Sequence, residues 1–147
     1  MSDDIRIQTL RDEIKDIRIR SITNRPNGVQ QKIDELCALR DALISEIDEM
    51  ENKQIAAELE LIERAVCGVF HVTSDDLRSR SRKRQLADAR HAVVYAACMK
   101  NISASKAADH TGRTPSVGSH ALGKMIGLYE RDERIREMLD EVMFCVR

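Results

Sequence analysis

The chain has 147 residues, a net charge of −1, 42% hydrophobic residues and only 3% aromatic residues. This length allows one ordinary domain plus an appended element, and the aliphatic palette suits helices better than sheets. No apolar run approaches the about 18 residues of a membrane span, and no basic N-terminus precedes an apolar stretch, so we expect a cytoplasmic protein without a membrane partner.

The cysteines and histidines are scattered rather than clustered. No C-x-x-C pair occurs, which argues against a zinc site or a disulfide framework and fits a reducing compartment. The histidines lack metal-ligand spacing, and no nucleophile and base are suggested by position, so we expect neither a cofactor, a metal nor an enzyme. The residues concerned are Cys37, Cys67, Cys98, Cys145, His71, His91, His110 and His120.

Charge is distributed unevenly along the chain. Residues 1–66 carry a net charge of −5, residues 67–127 carry +6, and the remaining residues carry −2. A basic segment joined to an acidic one indicates separate tasks, and the basic segment is the expected site for a polyanion.

Two helices are predicted in the acidic segment. The first spans Ser2 to Ile22, is capped by Ser2, and has an apolar seam that steps by three and four residues. A turn at residues 23–28, rich in Pro and Gly, separates it from a second helix that runs from Val29 to about Cys67. The predicted seams are Ile7, Leu10, Ile14 and Ile17 in the first helix, and Val29, Ile33, Leu36, Leu43, Ile47, Met50, Ala57 and Leu61 in the second, where Arg40 and Gln54 interrupt it.

These seams predict an antiparallel helical hairpin or coiled coil over residues 1–61. The second seam is longer than the first, and Leu39 and Ile44 flank it. The excess can pair with a second copy, which we favour because polar residues within a seam fix its register, or can pack on the chain's own C-terminal domain.

Residues 62–147 are predicted to form a second domain, entirely helical, with its DNA-binding part from about Ile62 to Leu128. Thr73 and Asp76 have the spacing of a capping box for a short helix, and a loop with alternating cations follows at residues 78–84. Further helices are predicted at residues 86–100, 103–110 and 115–130, and a last one lies within residues 130–147, with Ile135, Met138, Leu139 and Val142 on one face.

The segment from Gly112 to Pro115 predicts a helix-turn-helix. Gly112 stands where a helix commonly ends, Thr114 is placed to cap the next helix, and Pro115 occupies its first position. In this motif the N-terminal residues of the second helix enter the major groove. An ordinary helical hairpin is the alternative.

One set of residues in this half has the order and most of the spacings of a known family: Phe70, Val72, Thr73, Asp76, Leu77, Ser79, Arg82, Arg84, Ala87, Arg90, Gly112, Arg113, His120, Ala121 and Lys124. These residues resemble the C-terminal DNA-binding domain of the bacterial replication initiator DnaA family. The resemblance implies that Arg82 enters the minor groove, that Arg90 contacts the phosphate backbone, and that the start of the last helix reads bases.

Two departures from the family pattern shape what we expect. After its Gly-Arg the family has Asp-His-Thr-Thr, where this chain has residues 114–117 as Thr-Pro-Ser-Val, so a different DNA sequence is expected to be read. The Asp109-His110-Thr111 run is interpreted as the end of the preceding helix. The chain also has no G-x-x-x-x-G-K-[ST] loop, so we do not expect ATP-driven origin melting from it.

The sequence therefore predicts a non-enzymatic, sequence-specific double-stranded DNA-binding protein, nucleoid-associated, that forms a homo-oligomer through its N-terminal helices and acts in transcription regulation or replication. The alternative is an adaptor whose coiled coil binds a protein partner while the helix-turn-helix is degenerate. The predicted DNA-binding residues are Arg80, Arg82, Lys83, Arg84, Arg90, Arg113, Thr114, Pro115, Ser116, Ser119, His120 and Lys124.

Overall fold

A computed structural model describes residues 3–23 and 30–147 of the chain. Helices account for most of these residues and no strand occurs among them, which confirms the prediction of an all-α fold. None of the helices in these two ranges is long and apolar enough to cross a membrane. The helices are α1 (Asp3–Thr23), α2 (Gln30–Phe70), α3 (Ser74–Arg78), α4 (Arg84–Met99), α5 (Ala104–His110), a 3-10 turn (Pro115–Val117), α6 (Gly118–Arg131) and α7 (Glu133–Cys145).

Contacts divide the chain into two units, Met1–Gln54 and Ile55–Arg147. The division falls inside α2, which is continuous from Gln30 to Phe70. One helix therefore contributes its N-terminal part to the first unit and its C-terminal part to the second.

The first unit is a helical hairpin made by α1 and the N-terminal part of α2. The predicted α1 seam is confirmed, because all four of its residues are at most 8% exposed. Asp4, at the start of α1, accepts a hydrogen bond from Gln54, which lies far along α2, so the two helices are antiparallel. The cap assigned to Ser2 and most of the predicted turn fall outside the described residues. The buried seam is Ile7, Leu10, Ile14 and Ile17, and Leu43, Ile44, Ile47 and Met50 of α2 pack against it.

The seam predicted for α2 is wrong beyond Gln54. Leu61 is 51% exposed and Ala57 is also exposed. A different stripe is buried in the second unit, because α2 turns another of its faces toward that core. The buried stripe consists of Leu59, Ile62, Val66 and Phe70, with Ile55 partly buried beside it.

The second unit is built around α4, which packs against α3, α5, α6 and α7. Its buried face is rich in alanine, and small side chains let neighbouring helices approach closely. The N-terminus of α4 is two residues earlier than predicted, at Arg84. The buried residues of α4 include Ala89, Ala92, Val93, Val94, Ala96 and Ala97, and they meet Met125 of α6 and Leu139 and Val142 of α7 in one core.

The short helix α3 begins with the predicted capping box. Asp76 donates its backbone N–H to the Thr73 hydroxyl at 3.1 Å, and its carboxylate accepts the backbone N–H of Thr73 at 3.0 Å. This reciprocal pair satisfies two amide donors that a helix start leaves unpaired. The cap therefore fixes the chain direction just before the basic loop.

Candidate nucleic-acid interface

The turn between α5 and the next helix has the geometry that its sequence predicts. Gly112 has φ +72°, its N–H donates to the Asp109 carbonyl at 2.9 Å, and the Arg113 N–H donates to the Ala108 carbonyl at 3.0 Å. This is the Schellman arrangement, for which glycine is preferred because it tolerates positive φ. His110 ends α5, as interpreted from the sequence, and Thr111 is its C-cap.

The helix that follows the turn starts differently from the prediction. Pro115 does occupy the first position, but residues Pro115–Val117 form a 3-10 turn before α6 begins at Gly118. Thr114 stands at the N-cap, yet its hydroxyl accepts no backbone N–H of the helix and instead accepts a 3.4 Å hydrogen bond from Ser116 Oγ. The start of this helix is therefore stabilised by proline and packing rather than by a side-chain cap.

Gly118 lies against α5. A Cβ atom at this position would be 2.3 Å from the carbonyl oxygen of Ala104 and 3.0 Å from the backbone nitrogen of Ser105. At Gly118 the structure shows close approach of a helix.

The N-terminal part of the second helix presents a mostly polar surface. Every predicted base-reading residue there is exposed, and so is Val117, at 38%. Hydroxyl, imidazole and ammonium groups can bond base edges or phosphates, and an exposed valine can contact a thymine methyl group. The exposed predicted residues are Thr114, Pro115, Ser116, Ser119, His120 and Lys124.

The basic loop between α3 and α4 exposes most of its cations. Arg80, Arg82 and Lys83 are all exposed. Arg84 is exposed as well, but its Nε lies 3.8 Å from Oδ2 of Asp88. It lines a separate groove together with Arg134 of α7. The structure thus brings Arg80 and Arg82 to one surface and places Arg84 at another.

Arg90 is buried, although it was expected to contact the DNA backbone. Only 7% of the residue is exposed, and its guanidinium donates to four backbone carbonyls. Burial, with the nearby charge of Arg113 adding to it, lowers the pKa of Arg90. Its donors hold the main chain at the end of α3 and in the loop instead of facing solvent. The accepting carbonyls belong to Leu77 at 2.7 Å, Ser79 at 2.8 Å, Ser81 at 2.8 Å and Asp76 at 3.0 Å.

Arg113 reaches from the helix-turn-helix turn to the same loop. Its Nη2 donates to the carbonyl of Ser79 at 2.5 Å. Together the loop and the turn enclose an open groove of about 390 Å³, which we call the arginine groove, and no acidic residue lines it. Its lining residues are Arg80, Ser81, Arg82, Ala87, Arg90 and Arg113.

Glu63 of α2 accepts hydrogen bonds from two elements of the interface, α3 and α5. Its carboxylate accepts two hydrogen bonds from Arg78, at 2.8 and 2.9 Å, and another from His110 at the end of α5. Burial raises the pKa of Glu63, but hydrogen bonds from Arg78, Ser74 and His110 outweigh it, so the pKa lies below its usual value. Sequence reasoning missed this carboxylate, because an acidic residue beside an apolar stripe does not reveal its partners.

His91 lies on α4 beneath the second helix of the motif. Its Nδ1 is buried and, among the described residues, has no hydrogen-bond partner. Burial lowers the pKa of His91, and the positive charges of Lys124, His120 and Arg90 lower it further against the opposing effect of Asp88. The fold therefore disfavours the protonated form of the ring.

Comparison with known proteins finds a match to one protein family within the second unit. Residues 59–124 match the family model described as the bacterial dnaA protein helix-turn-helix. The chain is 26% identical over 65% of its length to the chromosomal replication initiator protein DnaA of Caldanaerobacter subterraneus subsp. tengcongensis. It is 34% identical over 54% of its length to the protein of the same name from Chlorobaculum tepidum. No solved structure matches the chain.

The match covers a defined part of each protein. The chain spans 22% and 17% of the two relatives. The matched residues begin in the buried stripe of α2 and end at Lys124 in α6, so they include the basic loop, the Schellman turn and the second helix of the motif. Residues 59–124 are therefore similar to the helix-turn-helix domain of the bacterial DnaA family.

Proposed function

We propose that this chain is a non-enzymatic, sequence-specific double-stranded DNA-binding protein. The observation that carries the proposal is the arginine groove, where the exposed Arg80 and Arg82 adjoin the turn of a DnaA-type helix-turn-helix. Cations without acidic neighbours attract phosphate and release its counterions. The charge of +6 over residues 67–127 supports the same assignment.

The 3-10 turn and the first turns of α6 are proposed to enter the major groove. Support comes from the exposure of Ser116, Ser119, His120 and Lys124 on one short stretch of chain. The start of a recognition helix is the part that reaches base edges. We propose that Ser116 and Ser119 contribute to base selection and that Lys124 binds phosphate.

The basic loop is proposed to enter the adjacent minor groove. Arg82 is the proposed inserting residue, because it is exposed and lies on an extended loop whose main chain is held from behind by Arg90. A narrow minor groove has enhanced negative potential, which attracts arginine. Arg90 then supports the loop rather than touching phosphate.

The N-terminal hairpin is proposed to bring copies of the chain together. Leu39 of α2, a large hydrophobic side chain, is 50% exposed. A dimer would place two recognition helices on spaced half-sites, which suits a transcription regulator or a replication accessory factor.

Selection from random double-stranded DNA followed by titration at two salt concentrations tests the proposal. We expect an enriched sequence, and an affinity that falls as salt rises with a slope proportional to the phosphates contacted. An Arg82→Ala variant should weaken binding by about tenfold, as expected for the loss of one groove contact. Arg147→Ala, which removes an exposed cation at the end of the second unit, is the matched control and should bind normally. Failure of the wild-type chain to bind any duplex would favour the adaptor alternative.

A further inference from the structure

The carbonyl of Ser79 accepts hydrogen bonds from two arginines that come from different elements. Arg90 approaches from α4 with its Nη2 at 2.8 Å, and Arg113 approaches from the helix-turn-helix turn with its Nη2 at 2.5 Å. Ser79 itself begins the basic loop, directly after α3. One backbone oxygen therefore joins the loop, α4 and the turn.

This junction places two cations side by side without a carboxylate. Within residues 3–23 and 30–147, neither Arg90 nor Arg113 forms an ion pair with an acidic residue. A hydrogen bond from a charged donor is stronger than one from a neutral donor. The carbonyl of Ser79 is thus the group that holds Arg113 close to Arg90 despite their like charges.

The donor geometry distinguishes Arg113 from the cations that are free to meet DNA. Arg82 and Lys124 are exposed, whereas Arg113 is half-buried and directed at the protein's own main chain. A residue that contacts only phosphate needs no such partner. The position of Arg113 is therefore suited to setting the place of the loop relative to the turn.

We infer that Arg113 is a positioning residue that couples the basic loop to the helix-turn-helix, so that the two elements engage the minor and major grooves as one unit. The inference rests on the proposed function. It changes the role expected for Arg113 from a DNA contact to an internal tie. It also means that the contribution of Arg82 to DNA affinity depends on the presence of Arg113.

A double-mutant cycle measures this dependence. The probe is a duplex recovered from random DNA by the wild-type chain, and the variants are Arg82→Ala, Arg113→Met and both together. In the wild-type chain we expect Arg82→Ala to weaken DNA binding by about tenfold. In the Arg113→Met background the same substitution should weaken DNA binding by less than about twofold, because the loop is then no longer held in place. Lys124→Met, which removes an exposed cation of α6, is the control, and its effect should multiply with that of Arg82→Ala.

Limited trypsin digestion without DNA gives an independent readout. The loop contains Arg80, Arg82 and Lys83, and we expect Arg113→Met to accelerate cleavage there several-fold while Lys124→Met leaves it unchanged. The inference would be overturned if the effects of Arg82→Ala and Arg113→Met on DNA affinity multiplied. It would also be overturned if Arg113→Met left the rate of cleavage in the loop unchanged. If the wild-type chain bound no duplex, the proposed function would fail, and digestion would still show whether Arg113 holds the loop.

Discussion

Gly118 and Ala104 are in backbone contact, so that a Cβ at Gly118 would lie 2.3 Å from the Ala104 carbonyl oxygen. Gly118 has ordinary helical dihedral angles, φ −57° and ψ −48°. Glycine is therefore required by the lack of room for a Cβ atom and not by the backbone conformation. We expect Gly118→Ala to push the start of α6 away from α5 and to lower the free energy of unfolding by about 1–3 kcal/mol. Urea denaturation followed by circular dichroism measures this change.

Gly123 provides the matched control for that substitution. It lies in the same helix and is exposed, and a Cβ atom added there would meet no other atom within 4 Å. Alanine is favoured over glycine inside helices, so Gly123→Ala should raise the free energy of unfolding by about 0.5–1 kcal/mol. Equal effects of the two alanine variants would contradict the assigned role of Gly118.

Glu63→Gln should destabilise the second unit. The substitution removes the charge that pairs with Arg78 and His110, and only 5% of Glu63 is exposed. Breaking a buried ion pair from one side costs about 3–5 kcal/mol, and the half-exposed Arg78 reduces this to about 2 kcal/mol. The free energy of unfolding in urea is the measurement.

The exposed pair of Arg6 and Glu46 in the first unit is the control for the buried one. Their side chains are 50% and 43% exposed. Exposed ion pairs contribute little, so Glu46→Gln should change the free energy of unfolding by less than about 1 kcal/mol. If Glu63→Gln lowered the free energy of unfolding as little as Glu46→Gln does, the buried contacts of Glu63 with Arg78 and His110 would contribute nothing to stability.

The lowered pKa of His91 predicts a dependence of stability on pH. Because the pKa of His91 in the fold lies below its ordinary value of 6.5, its contribution to stability is complete above that pH. The contribution is lost as the pH falls through the lowered pKa. Urea denaturation from pH 8 to pH 5 should therefore show a declining free energy of unfolding below pH 6.5.

A His91→Leu variant isolates that contribution. It should remove the decline that begins below pH 6.5. If the variant kept the decline of the wild-type chain below pH 6.5, another group would be its source.

The sequence predicted those parts of the fold that depend on local patterns. The α1 seam, the capping box at Thr73 and the left-handed Gly112 each follow from residue type and spacing within a few positions. Such features are satisfied by the chain itself and need no distant partner. For that reason they could be identified without the fold.

Features that depend on distant partners could not be identified in this way. Arginine is rarely buried, so the burial of Arg90 follows only from the four carbonyls of α3 and the basic loop that surround it. The exposure of Leu61 depends on which face of α2 meets the second core. Glu63 is recognised only with Arg78 and His110 beside it. Each of these outcomes is fixed by packing between segments far apart in the sequence.

Residues of the second helix should divide into those that select bases and those that bind phosphate. Ser116→Ala and Ser119→Ala should reduce discrimination at individual base pairs by about 1–3 kcal/mol, since each removes a donor and acceptor at an exposed position. Lys124→Ala should weaken binding to all sequences equally and lower the salt slope by about 1. Repeating the selection from random DNA with each variant measures the difference. A changed base preference for Lys124→Ala would reverse its assigned role.

Leu39→Glu should separate copies of the chain. Leu39 is half-exposed on α2 in the N-terminal hairpin, and a carboxylate there would have to be desolvated in an interface between copies. We expect sedimentation of the wild-type chain to show a concentration-dependent dimer and that of Leu39→Glu to show a monomer. Ala38→Glu adds the same charge at the neighbouring exposed position and is the control.

The same pair of variants connects assembly to DNA binding. A dimer on two half-sites gains from effective concentration, whereas binding to one half-site does not. Leu39→Glu should therefore weaken binding to a duplex with two selected sites and leave the affinity for a single site unchanged. If the wild-type chain sedimented as a monomer at all concentrations, or if both duplexes were affected equally, the hairpin would have a role other than joining copies on DNA.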